Sequence, residues 1–143
     1  MKDVLPFFAA LVFGIYAISI FSPNGTAQVE TLRLEGSDLV VEAQKTHAHP
    51  FLAEYDFKIV VKAGSTELDS IDMNDSGGRS RIDVLQIDNS TIAFRHYANT
   101  ECLNIAREKF EYCGLDISGK RIGKFDFDAK KKWRFIRFDG REN

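Results

Sequence analysis

From Val29 onward the apolar residues tend to recur at every second position, and this period constrains the fold more than any other feature of the chain. Val29-Glu30-Thr31-Leu32-Arg33-Leu34 alternates, Gly36-Ser37-Asp38 turns, and Leu39-Val40-Val41 resumes. Tyr55–Val61 and Thr66–Met73 alternate again on either side of Ala63-Gly64-Ser65. Ile82–Ile87 meets Ile92-Ala93-Phe94 across Asp88-Asn89-Ser90, and Phe125-Asp126-Phe127 meets Trp133–Phe138 across Ala129-Lys130-Lys131. Successive side chains of a strand point to opposite faces, so this pattern gives each strand one buried and one wet side. Short strands in succession, separated by Gly, Asn, Asp and Ser turns, predict an all-β antiparallel meander, sandwich or open barrel of about eight strands. One stretch, Thr100–Tyr112, places Leu103, Ile105, Ala106 and Phe110 at spacings that predict a short helix.

The amino-terminal residues follow a different rule. No charged residue occurs from Val4 to Val29, and Val4–Phe21 is almost wholly apolar. Lys2 precedes this run, Ser22-Pro23-Asn24-Gly25 breaks it, and Gly25-Thr26-Ala27 offers the small residues that a signal peptidase requires. The segment therefore reads as a hydrophobic signal or anchor helix, with residues 1–27 either cleaved or retained. Val4–Phe21 is just long enough to span a bilayer. Both outcomes predict export, to the periplasm or to an inner-membrane-anchored position with the β domain outside the cytoplasm. Residues 28–143, about 115 of them, suffice for a single domain with its own core.

Composition excludes several classes. A net charge of −2 and a pI near 5.9 disfavour a dedicated nucleic-acid binder, which is normally basic. The charge is unevenly spread, with ten acids and four bases between Gln28 and Gly78 against nine bases and four acids between Lys120 and Asn143. Pairing of opposite charges on neighbouring strands is the simplest use of this asymmetry. A sharper use is contact of the Lys130–Arg137 region with anionic lipid headgroups or an acidic partner.

Four groups of residues are candidate sites. Cys102 and Cys113 are the two cysteines, and in an oxidising compartment they are expected to form a structural disulfide. Asp72, Asn74, Ser76 and Asp83 sit at positions one, three, five and twelve of a calcium-loop spacing, with Gly77 at six. Against it, the flanks read as strands, Arg79 occupies an apolar position, and Asp83 replaces the usual bidentate Glu. His47 and His49, two apart, face one side if they lie on a strand and could share a metal, with His96 or Glu54 as the third ligand. Ser76, Gly77, Gly78 and Arg79 in one loop and Lys130, Lys131 and Lys132 in another are candidates for partner contact. No nucleophile elbow, phosphate loop or metalloprotease motif occurs, so no catalytic residue, cofactor or small-molecule substrate is assigned.

Three pieces together carry a resemblance: His49–Asp56, the Gly77-Gly78-Arg79-Ser80-Arg81 turn, and Gly123–Asp128 running into Trp133-Arg134-Phe135-Ile136. The chain resembles a group of small bacterial exported or membrane-anchored β-domain proteins without an assigned activity. The resemblance implies an envelope location and the same order of strands, and it carries no site across. The cysteines are no part of it, nor is the pairing of His47 with His49.

The expected function is that of a non-enzymatic envelope protein that binds another protein, perceived most simply as an accessory subunit of a membrane complex. The alternative is a periplasmic inhibitor or immunity-type protein that plugs a hydrolase cleft with Ser76–Arg81, since a rigid loop loses little entropy on insertion. A metal-dependent hydrolase using the three histidines stands third.

Overall fold

The computed structural model describes residues 27–48, 54–74, 81–97, 99–114 and 116–140. They form ten strands: β1 (Gln28–Arg33), β2 (Leu39–His47), β3 (Tyr55–Ala63), β4 (Thr66–Asn74), β5 (Ile82–Gln86), β6 (Thr91–His96), β7 (Asn99–Asn104), β8 (Lys109–Tyr112), β9 (Lys120–Phe127) and β10 (Trp133–Arg137). The first four make a meander, β1-β2-β3-β4, and the other six a sheet ordered β10-β9-β5-β6-β7-β8, with every pairing antiparallel. The expected signal or anchor helix lies outside the described residues.

The alternation seen in the sequence is the burial pattern of the strands. On β2, Leu39, Val41, Ala43 and Lys45 are buried while the residues between them are only partly so. Phe57, Ile59 and Val61 of β3 share one core with Ile82 and Val84 of β5, Phe94 of β6, Leu103 of β7 and Phe125 of β9. The two sheets therefore pack on each other through a common apolar interior. A fully buried side chain of this size contributes roughly 1.5–3 kcal/mol. Phe57→Ala would leave a cavity as well and would cost about 3–5 kcal/mol.

Both open sides of the pair of sheets are closed. β1 lies beside β10, and β4 beside β8. Arg137 of β10 reaches Glu35 just beyond β1 at 2.9 Å, and the Asp69 carboxylate of β4 accepts the Phe110 N–H of β8 at 2.8 Å. That acceptor occupies an edge N–H that would otherwise be open to pairing with another chain.

The helix expected over Thr100–Tyr112 is corrected: this stretch is the β7–β8 hairpin. Its register sets Leu103 opposite Phe110. A spacing of seven residues is two helical turns, and it is equally the distance between partners across this hairpin, so the apolar spacing alone did not separate the two. Glu108 takes a left-handed φ of 57°, and the Asn104 side chain accepts the Arg107 N–H at 3.1 Å, which together turn the chain. These two strands bring the number from about eight to ten.

The disulfide joins Cys102 of β7 to Cys113 after β8, with Cα atoms 5.5 Å apart. It sits on the outer face of the larger sheet, where Leu85, Ala93 and Cys102 are buried against Ile87, Cys113 and Ile117. The connection from β8 to β9 crosses this face, because β9 pairs not with β8 but with β5. Arg95 donates to the Ile117 carbonyl at 2.6 Å and ties the crossing down. This strap explains why outward-pointing residues of β5, β6 and β7 are buried.

Gly123 on β9 meets a requirement of close packing. A Cβ there would lie 2.7 Å from the Ile136 carbonyl oxygen and 2.9 Å from a ring carbon of Phe135. The Phe135 ring covers the position that a side chain would fill.

Candidate functional site

Strand polarity gathers one end of the sandwich. β2 ends where β3 begins, with His47 opposite Tyr55, and Asp56 of β3 lies opposite Asn74 at the end of β4. Ile82 at the start of β5 is level with Phe125 near the end of β9, Phe127 faces Trp133 across the β9–β10 turn, and His96 faces Asn99 across β6–β7. Gln28, the first residue of β1, pairs with Lys45 at the same level. Four connections and the point where the chain arrives from residue 27 thus share one end, called here the loop end.

The loop end is closed from within by a buried lysine under aromatic rings. The Lys45 ammonium is 4.3 Å from the Tyr55 ring centroid, 3.6 Å from that of Phe127 and 5.2 Å from that of Trp133. Lys45 is only 3% exposed. It occupies this position because it is in phase with Leu39, Val41 and Ala43, one step further along the same face of β2. Among the described residues no carboxylate lies within ion-pair distance of it. Burial pulls its pKa down from 10.5 to about 8, partly opposed by the charge of Asp126. Ring faces carry negative charge density and recover part of the lost hydration.

Trp133 is itself sandwiched, stacking on Phe57 at 5.5 Å and on Phe125 at 6.2 Å between ring centroids. Its indole N–H is buried with no hydrogen-bond partner among the described residues. Beyond the rings, His96 is buried, packs on Phe57 at 5.0 Å and makes a 2.8 Å hydrogen bond through Nδ1 to the Arg81 carbonyl. His47 is exposed and lies against Tyr55 at 4.8 Å.

The sequence candidates distribute as follows. His47 and His96 both lie at the loop end, on different sheets, and His49 lies outside the described residues. Among the described residues no three His, Cys, Asp or Glu side chains gather as a metal site. Of the calcium-loop set, Asp72 and Asn74 close β4, Asp83 is on β5, and Ser76 lies outside the described residues. One carboxylate oxygen of Asp83 takes both Arg81 and Arg121 at 2.7 Å, so it is already neutralised by two guanidinium groups. Ser76, Gly77, Gly78 and Arg79 lie outside the described residues, within the connection that passes from β4 to β5 and so from one sheet to the other.

Lys130, Lys131 and Lys132 are exposed in the β9–β10 turn. Asp128 builds this turn by accepting the N–H groups of Lys130 at 2.8 Å and Lys132 at 2.9 Å. Elsewhere charges mostly pair within their own sheet: Lys62 with Glu42 at 2.8 Å in the smaller, Arg121 with Asp83 in the larger. On the outer face of the larger sheet, near the loop end, Arg81, Asp83, Arg95 and Tyr97 line a groove of about 330 Å³.

Sequence reasoning missed Lys45, whose signal was a cation in phase with the buried face of β2. It also missed the convergence of its own candidates, which depends on strand polarity and sheet order. No protein-family model matches the chain, and no curated protein or solved structure is significantly similar to it. The functional reading therefore stands on these residues and their arrangement.

Proposed function

We propose that this is a non-enzymatic envelope protein, exported across a bacterial inner membrane, that binds another protein through its loop end. Where Val4–Phe21 is retained, the protein acts as an accessory subunit of a membrane complex. A single observation carries this reading: Gln28 begins β1 at the same end as the connections β2–β3, β4–β5, β6–β7 and β9–β10. A retained segment before Gln28 would join the domain at this end, which supports the reading that this end, rather than its opposite, faces the bilayer and whatever lies in it. Loops at one end of a rigid sheet scaffold are a common way to present binding residues. The disulfide is compatible with an oxidising compartment. The acidic first half and basic last portion of the chain give the molecule a charge separation that would orient its encounter with a charged partner.

The test is affinity capture of the full-length protein from solubilised envelopes, with the intact mass of the bait recorded. The expected result is a bait that keeps residues 1–27 and a stoichiometric membrane partner. That partner should be lost when Lys130, Lys131 and Lys132 or Ser76–Arg81 are changed to alanine, and retained when Ser65 and Asn89 at the other end are changed. A cleaved bait bound to a secreted hydrolase, with binding abolished by the Ser76–Arg81 changes alone, would replace this account with the inhibitor. Capture of no partner would overturn it and return attention to the histidines.

A further inference from the structure

The β9–β10 turn, which enters the partner-binding account through its lysines, combines three features that bear on the membrane surface itself. The first is its place. β10 lies beside β1, and Lys45, the pairing partner of Gln28, reaches the Trp133 ring at 5.2 Å. Lys132 immediately precedes Trp133, so the lysine turn adjoins the start of β1. Only residues 22–27 separate Gln28 from Phe21, a link of at most about 25 Å when fully extended.

The second feature is charge without compensation. Lys130, Lys131 and Lys132 are exposed, and among the described residues none has a carboxylate within ion-pair distance. The carboxylate of the turn, Asp128, is held inside it by backbone N–H groups and faces Arg134 at 3.7 Å. Of the acids toward this end on the smaller sheet, Asp56 and Asp72 are on β3 and β4, away from β1, Glu54 precedes β3, and Glu30 is on β1 two residues beyond Gln28.

The third feature is strain. Lys131 has a φ of 58°, in the left-handed region. The Lys131 N–H donates to the Asp128 carbonyl at 2.9 Å, and the Asp128 N–H to the Lys132 carbonyl at 2.9 Å. This is a three-residue hairpin loop whose last position favours glycine. A lysine there completes a run of three cations at the expense of the turn's own stability.

We infer that the Lys130–Lys132 turn rests on the phosphodiester headgroups of anionic phospholipid beside the point where the chain enters the bilayer. The inference depends on the retained-anchor form of the account above. Each ammonium near an anionic surface strengthens association about fivefold, and the effect decays within a Debye length of roughly 8–10 Å. The link to Phe21 is short enough to let the turn come within that range.

The experiment reconstitutes the full-length protein with vesicles of phosphatidylcholine alone or with about one third phosphatidylglycerol. Flotation reads insertion, and the rate of amine labelling at each lysine, followed by mass spectrometry, reads headgroup contact. The protein is expected to float with both lipids. Labelling of Lys130, Lys131 and Lys132 should slow severalfold only with phosphatidylglycerol and recover at about 1 M salt. Lys58 and Lys62, on β3, should label equally in both. Lys131→Gly removes one charge and relieves the turn, so it keeps the fold while the protection of Lys130 and Lys132 falls. Flotation with both lipids but equal labelling would overturn the headgroup contact and leave the anchor intact. Flotation with neither would overturn the anchor and the contact with it.

Discussion

Replacing Lys45 with methionine is expected to make the protein more stable at neutral pH. The ammonium is 3% exposed, with no carboxylate at ion-pair distance among the described residues. Burial lowers its pKa from 10.5 to about 8. At 1.36 kcal/mol per pKa unit this corresponds to a cost of about 3 kcal/mol for keeping the charge inside the folded protein. The rings of Tyr55, Phe127 and Trp133 return about 1 kcal/mol through their attraction for the cation. Methionine is unbranched, has a similar length and packs well on rings, so it retains most of the volume and contact. The net gain is about 2 kcal/mol for Lys45→Met at pH 7. Between pH 8 and 10.5 the native state binds fewer protons at this residue than the unfolded chain does. The wild-type protein therefore gains stability relative to the variant as pH rises through that window, and the gap closes. Urea unfolding of both proteins at pH 7 and at pH 10 measures this, with titrations common to the two cancelling in the difference. A methionine variant less stable than wild type at pH 7, or a gap unchanged at pH 10, would refute the reasoning.

Three further changes probe other parts of the structure. Changing Cys102 and Cys113 together to alanine should cost about 2–4 kcal/mol, read as a lower urea midpoint that a reductant no longer shifts. Gly123→Ala places a methyl against the Ile136 carbonyl and the Phe135 ring. It should lower stability by about 1–3 kcal/mol, checked by thermal unfolding, with loss of the Phe135 contact visible in side-chain NMR. Lys131→Gly should raise stability by about 1 kcal/mol by relieving the left-handed backbone, measured by the same urea titration.

Much of the sheet architecture was legible in the sequence because burial on one face of a strand writes itself as alternation. All eight strand segments read from that pattern are strands in the structure. Thr100–Tyr112 was not legible, because Leu103 and Phe110 are seven residues apart whether they stack on a helix or meet across a hairpin. The outer face of β5, β6 and β7 also misleads, since the strap between β8 and β9 buries residues that alternation assigns to water. Lys45 escaped because a charged residue reads as solvent-facing, and its aromatic surroundings are assembled from β3, β9 and β10. The cysteine pair was legible from its number alone. The gathering of His47, His96 and Lys130–Lys132 at one end was not, because it follows from strand polarity across two sheets.

The central claim is that the loop end is the end that meets a partner. It is tested most directly by placing a photoreactive residue at single exposed positions of the full-length protein in living cells. Ala48 and Ala129 report on the loop end, and Ser65 and Asn89 on the opposite end. Crosslinks to one and the same envelope protein from Ala48 and Ala129, with none from Ser65 and Asn89, are the predicted result. Crosslinks only from Ser65 or Asn89 would contradict the account.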